Sequence, residues 1–274
     1  MAESIAGKSV MTGFIGGGNM AEAVIKGMIA GGIAAGAILV SEPVEARRQQ
    51  LTLQYGVKTT PDNSEVAFSC ETIIIAVKPQ QAAAVCSALT NALNGQHLLV
   101  SIMAGVASAA LENFFKEAPR VVRVMPNTPA LVLCGAAAIA AGRTATMEDM
   151  AAVEALFSLV GTCCRVEEKL MDAVTGLSGS GPAYVLTFIE ALADGGVKNG
   201  LTRGVSLNLA IQTVLGTARL LAQTGEHPGS LRDKVTSPGG TTIAGLHALE
   251  KGSFRATVMN AVEAATARSK ELGQ

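Results

Sequence analysis

The chain has 274 residues, of which 49% are hydrophobic and 16% charged, enough apolar material for one large domain or two ordinary ones. Its 21 lysines and arginines balance 22 acidic residues, and a net charge of −1 leaves no electrostatic footprint for nucleic acid or an anionic membrane. With no Trp and two Tyr, little aromatic surface is available for stacking single-stranded bases.

In chain order, Val10–Ile15 reads as a short strand running into glycines, and Met20–Ala30 carries helical periodicity. Ala37–Ser41 reads as a strand, Arg47–Tyr55 as a helix and Lys58–Thr60 as a short strand. Glu71–Val77 is a buried strand, Gln80–Ala92 a helix, Leu98–Met103 a strand and Ala107–Phe115 a helix. Arg120–Met125 and Ala136–Ala140 follow as strands. This alternation predicts an α/β Rossmann-type domain, a parallel sheet covered by helices on both faces.

After about residue 165 the pattern becomes helical: Glu167–Gly176, Gly181–Gly200, Arg203–Thr224, Ser230–Val235, Thr241–Gly252 and Phe254–Leu272. A dinucleotide-binding domain over 1–166 and an all-α domain over 167–274 are therefore expected. Gly181–Gly200 is rich in Ala and Leu on most faces, and so apolar a helix in so small a domain suggests a subunit interface. Residues 1–9 lack the apolar core of a secretory signal, and stretches such as Leu98–Val106 are too short to span a bilayer, so a cytoplasmic location is expected. The five cysteines, Cys70, Cys86, Cys134, Cys163 and Cys164, have neither paired nor C-x-x-C spacing, so neither disulfides nor a metal is expected. Cys163 and Cys164 read as small buried hydrophobes in the strand Cys163–Val166.

Gly16-Gly17-Gly18-Asn19-Met20-Ala21 is a G-x-G-x-x-A pattern between a strand and a helix. Gly16 permits the tight turn, Gly18 the approach of a pyrophosphate, and Ala21 close helix–sheet packing. The helix N-terminus supplies free N–H groups and partial positive charge. An acidic residue about 20 positions past the turn binds the ribose of NAD, and Glu42 stands near that place. A 2′-phosphate would instead want Ser41, Arg47, Arg48 or Asn63, so the form of the cofactor stays open. Ala76-Val77-Lys78-Pro79 follows the next core strand, at the sheet edge where ligands sit in open α/β folds.

Two glycine-rich motifs lie in the helical part. Gly176–Tyr184 precedes a long helix, where its glycines allow close backbone approach to another subunit or to a ligand. In Thr236-Ser237-Pro238-Gly239-Gly240-Thr241-Thr242-Ile243, backbone N–H groups before a helix form a cradle for an anion such as a carboxylate. Capping by Thr241 or Thr242 is the alternative.

With these motifs, and with Arg123–Pro129 and Val235–Glu250, the chain resembles the pyrroline-5-carboxylate reductases over nearly all of residues 11–272. The resemblance implies reduction of 1-pyrroline-5-carboxylate to L-proline, the last step of proline biosynthesis, with NADP(H) or NAD(H). It also implies dimerisation through the C-terminal helices, and dimers of this kind often assemble into decamers. Gly17, Asn19, Met20, Asn63, Val77, Lys78 and Ala104 match the family's cofactor contacts by motif, and Gly16, Gly18, Ser41, Glu42, Ala76 and Pro79 are expected to bind cofactor beside them. Glu168, Ser237, Gly239, Gly240, Thr241 and Thr242 bind substrate. Thr242 is the expected catalytic group, hydrogen-bonding the ring nitrogen, and Glu168 is expected to stabilise the iminium charge through space. Glu42 stands where some relatives carry Ser, and Lys234 where some carry Asn. A β-hydroxyacid dehydrogenase would share the plan, but its helical lysine has no counterpart in Gly181–Ala193. His97, His227 and His247 read as structural or exposed.

Overall fold

The computed structural model describes residues 11–273, so the expected start of the first strand at Val10 lies outside the described residues, as does the segment 1–9. The first half alternates β1 (Thr12–Ile15), α1 (Asn19–Ala30), β2 (Ile38–Ser41), α2 (Glu45–Tyr55), β3 (Lys58–Thr60), α3 (Asn63–Ser69), β4 (Thr72–Ile75), α4 (Ala82–Ala88) and β5 (Leu98–Ser101). It continues through α5 (Ser108–Glu112), β6 (Arg120–Met125), β7 (Gly135–Ala141), α6 (Met147–Ser158), β8 (Gly161–Arg165) and α7 (Met171–Val174). The remaining helices are α8 (Gly181–Lys198), α9 (Arg203–Thr224), α10 (Pro228–Lys234), α11 (Thr241–Lys251) and α12 (Phe254–Leu272).

The eight strands form one sheet in the order β3-β2-β1-β4-β5-β6-β7-β8. The order in which strands are added reverses between the parallel neighbours β1 and β4, and a crevice opens there at the carboxyl ends of the strands. Alternation along each strand splits the core into two layers. Phe14, Val40, Ile74, Val100 and Val122 face α1, α2 and α6, with Ile25, Leu51 and Phe157 behind them. Ile15, Ile73, Ile75, Leu99 and Val121 face α3, α4 and α5, with Val66, Cys86 and Leu111. The sheet is not wholly parallel: β7 runs antiparallel to β6, and β8 follows β7 in parallel. The connection over residues 126–134 is shorter than the dozen or more residues a parallel crossover needs, so the chain turns straight back.

Two helices absent from the sequence reading carry clear caps. Asp62 accepts the N–H of Ser64 at 2.8 Å to start α3. Thr146 and Asp149 exchange hydrogen bonds at the start of α6. The expectation of buried Cys163 and Cys164 is corrected: β8 is an edge strand, Cys163 is only half-buried and Cys164 is exposed.

By contacts the chain forms two compact units, one running to Ser180 and resuming at Ala264, the other Gly181–Glu263. The sheet ends near the boundary expected at 166, but Glu167–Ser180 group with the first unit. Met171 packs on Ala138 and Ala140. The end of α12 is also tied to that unit, through Ser269 Oγ donating to Asp172 at 2.6 Å. In the second unit α8 and α9 form a hairpin at close range, where a Cβ on Gly196 would lie 2.5 Å from Ser206 Oγ. The buried residues in this unit are Ala193, Ser206 and Ala210, whereas Val185, Leu186, Leu192, Leu209 and Ile211 are exposed. By length and composition α9 could cross a membrane, although Arg203 and Arg219 lie along it.

Candidate active site

The first-unit site is a cleft of about 400 Å³ at the β1/β4 switch point, lined by Gly16, Gly18, Ser41, Glu42, Asn63, Ala76, Val77 and Lys78 among others. The backbone fixes it. Gly16 N–H donates to Ser41 O at 2.8 Å, and Ala76 N–H to Ile15 O at 2.9 Å. Gly16 has φ +98°, and a Cβ there would meet Ala76 O at 2.8 Å, so two independent constraints require glycine. Gly18 differs. It is the N-cap of α1, extended, without a side-chain cap, and its Cβ direction is empty to 4 Å. The first-turn N–H groups of α1 thus open onto space a phosphate can enter. Asn19 and Met20 begin that helix, Pro79 follows Lys78 at the cleft edge, and Ala104 lies on the loop after β5. This arrangement fits a dinucleotide, with pyrophosphate on α1 and adenosine ribose beside Glu42.

A polar frame braces the turn. Glu42 Oε2 accepts the Gly17 N–H at 2.9 Å, and Oε1 accepts the Val44 N–H at 3.0 Å. Arg47 donates to Gly17 O at 2.7 Å and pairs with Glu22. Tyr55 donates to the other Glu22 oxygen at 2.8 Å. Burial and the Glu22 carboxylate push the Tyr55 hydroxyl up to about 12. Burial opposes ionisation of Glu22, but bonds from Arg47 and Tyr55 outweigh it and hold the carboxyl below its ordinary value.

Glu168 is placed against Ser108 and Arg123. It accepts the Ser108 N–H at 2.7 Å, the Ser108 hydroxyl at 2.6 Å and Arg123 Nη1 at 3.0 Å. Burial raises its affinity for a proton, yet these bonds prevail and hold the carboxyl low. Glu168, expected to stabilise substrate charge through space, is paired within the chain and fixes the helix start that follows the Ala104 loop. Sequence reasoning missed Ser108 and Arg123. The available signal was an arginine inside the apolar strand β6, because a buried guanidinium needs an acidic partner. Another missed brace is buried Asn127, whose amide donates to Ser178 O at 3.0 Å and whose oxygen accepts the Ala136 N–H at 2.8 Å. It holds the π-helical turn Thr175–Gly179, where a Cβ on Gly179 would lie 2.5 Å from Met125. This glycine of the Gly176–Tyr184 motif thus serves packing within the chain.

In the second unit, Gly239 has φ +67° and Gly240 caps α11 with no side-chain hydrogen bond. The capping alternative for Thr241 and Thr242 is thereby corrected, since they are the first two residues of α11 itself. Ser237 O accepts the Gly240 N–H at 3.0 Å and closes the turn. A groove of about 700 Å³ borders it, lined by Thr236, Gly239, Gly240, Ile243 and His247 among others. A glycine turn, open N–H groups and two threonine hydroxyls make a cradle for a small carboxylate. Lys234 pairs with Glu226 at 2.7 Å and His227 caps α10. Among the described residues no cluster of His, Cys, Asp or Glu has the makings of a metal site.

Comparison with known proteins agrees in sequence and shape. Residues 168–272 match the family model for pyrroline-5-carboxylate reductase dimerisation. Residues 11–105 match the model for NADP oxidoreductase, coenzyme F420-dependent. A pyrroline-5-carboxylate reductase from Synechocystis is 50% identical over 97% of this chain and 99% of its own length. The structure of a pyrroline-5-carboxylate reductase from Coxiella burnetii has 36% identity and a TM-score of 0.92, covering 97% of this chain and all of the other. A Plasmodium falciparum pyrroline carboxylate reductase with NADP bound has 37% identity and a TM-score of 0.87, covering 97% of this chain and 98% of its own.

Proposed function

The chain belongs to the pyrroline-5-carboxylate reductase family, and from that premise we propose that it reduces 1-pyrroline-5-carboxylate to L-proline with a nicotinamide dinucleotide. The observation that carries the reading is the presence of two helix starts built for anions, one at Gly18 and one at Gly240. When bound, the reduced dinucleotide supplies a hydride from C4 of its nicotinamide ring.

The chain's own residues supply the rest. The first turn of α1 holds the pyrophosphate, and Gly16 keeps the strand-to-helix turn tight beneath it. Gly239 and Gly240 receive the substrate carboxylate on the α11 N-terminus. The half-buried Thr242 hydroxyl, which has no intramolecular hydrogen bond among the described residues, bonds the ring nitrogen and orients the imine. Protonation of that nitrogen gives an iminium, a better hydride acceptor. Ser237 and Thr241 shape the cradle. Glu168 acts through Ser108 and Arg123, keeping the Ala104 loop in place. Alignment of two reactants supplies most of the rate.

We also propose that the protein self-associates through its C-terminal helices, as a dimer able to build larger assemblies, and works in the cytoplasm without nucleic-acid or membrane partners. The exposed leucines and valines of α8 and α9 support the first part. The defining experiment mixes purified protein with the cyclic imine and NADH or NADPH and follows reduced-cofactor absorbance. Imine-dependent loss of that absorbance with proline formed is expected. No turnover with either dinucleotide would overturn the reading.

A further inference from the structure

The adenosine end of the first-unit cleft is built from residues whose charges are already committed. Glu42 lines the cleft. Its two carboxylate oxygens are held by the N–H groups of Gly17 and Val44, so the group is fixed in place and cannot swing away from an incoming ligand. A Cβ on Gly17 would lie within 3.3 Å of the Glu42 side chain, so the carboxylate stem packs directly on the turn.

The neighbouring cations are engaged by groups of the chain itself. Arg47 is spent on Gly17 O, Gln50 and the Glu22 carboxylate. Arg48 Nη1 donates to the carbonyls of Glu42 and Pro43 at 2.7 and 2.8 Å. The Ser41 hydroxyl donates to Asn63 Oδ1 at 2.6 Å, which commits its proton. Among the described residues lining the cleft, the cation is Lys78, and it follows β4 rather than β2.

We infer that Glu42 is a specificity-determining residue that makes the cleft take NADH in preference to NADPH. The inference rests on the dinucleotide-dependent reading above and deepens it. A ribose 2′-hydroxyl donates to a fixed carboxylate, whereas a 2′-phosphate carries about −1.5 to −2 charges and accepts only. Placed against Glu42 it meets a like charge, with Arg47 paired to Glu22 and Arg48 Nη1 turned to backbone carbonyls. The Plasmodium relative whose structure holds NADP is therefore expected to differ at this end of the site.

The test compares kcat/KM for NADH and NADPH on the same imine in the wild type, Glu42→Gln and Glu42→Ser. Calorimetry with 5′-AMP and 2′,5′-ADP, which differ only by the 2′-phosphate, reads the adenosine end without the imine. The wild type is expected to favour NADH by roughly tenfold or more, about 1.4 kcal/mol per factor of ten. Glu42→Gln keeps an oxygen for one backbone donor while removing the charge. It should shift the ratio toward NADPH by roughly tenfold, mainly through a lower KM for NADPH. A thermal melt close to wild type shows that the turn survives. A wild-type preference for NADPH, an unmoved ratio in both variants, or equal binding of 5′-AMP and 2′,5′-ADP would each overturn the inference. Loss of turnover with both dinucleotides, alongside tighter binding of 5′-AMP than 2′,5′-ADP, would overturn the reductase reading and leave the selectivity standing.

Discussion

Two helices begin on a glycine that offers no side-chain cap, and their backbones nearly coincide: φ −70°, ψ −176° at Gly18 and φ −79°, ψ 175° at Gly240. Their surroundings differ. Gly18 follows a turn packed between two strands, where Gly17 is buried and bonded by Glu42 and Arg47. Gly240 follows an exposed loop closed by Ser237, with two threonine hydroxyls immediately after it. The shared backbone leaves first-turn N–H groups open at each helix start, an arrangement that suits an anion. The neighbours differ in what they offer a ligand. A rigid, pre-charged frame suits a large ligand that must be read at its far end. An open loop with hydroxyls suits a small ring whose nitrogen needs one hydrogen bond.

Substitutions can break this contrast. The largest effect is expected for Thr242→Ala, a fall of about ten- to a thousandfold in kcat/KM for the imine, the scale of one positioned donor. Dinucleotide affinity, measured by fluorescence titration, should barely move, and unchanged kcat/KM would remove Thr242 from the mechanism. Gly16→Ala against Gly18→Ala separates fold from ligand. The first forces a Cβ onto Ala76 O at a positive φ and should cost about 1–3 kcal/mol of stability by denaturant titration. The second enters empty space and should spare stability while weakening dinucleotide binding. Equal losses of stability would contradict the packing described for the turn.

Smaller effects are expected from the braces. Arg47→Ala leaves Gly17 O and Glu22 Oε2 without this donor, and should raise the dinucleotide KM while kcat for bound substrate stays close to wild type. A drop in kcat alone would place Arg47 elsewhere in the mechanism. Glu168 gives the gentlest test. Its folded-state affinity for protons is depressed, so its stabilising contribution is complete above the unfolded glutamate value of about 4.3 and is lost as pH falls through the lower folded value. Melting curves of wild type and Glu168→Gln should therefore converge toward acid and separate at neutral pH. A constant gap would show that the ion pair with Arg123 is not linked to folding.

Much of this was legible in the sequence, because glycine and hydrophobic alternation have local causes. The turn at Gly16–Ala21, the strand runs through Ile73–Ile75 and Leu98–Ser101, and the helices from Gly181 onward follow from backbone freedom and periodicity. Long-range geometry was less visible. Nothing near Glu168 in the chain announces Ser108, sixty positions earlier, or Arg123. The reversal of β7 depended on counting the connection before it, and the exposure of Cys164 on β8 being the last strand. The committed state of Arg47 and Arg48 was equally hidden, since each bonds backbone carbonyls that carry no sequence signature.

The sparse interior of the second unit, with Ala193, Ser206 and Ala210 as its buried residues, has a genetic consequence. Self-association that covers the exposed leucines of α8 and α9 would add folding free energy that depends on concentration, so the melting temperature should climb as the protein is made more abundant. In a cell carrying two alleles, a copy destabilised in this unit would draw intact copies into faulty assemblies, and the defect would behave as dominant rather than recessive.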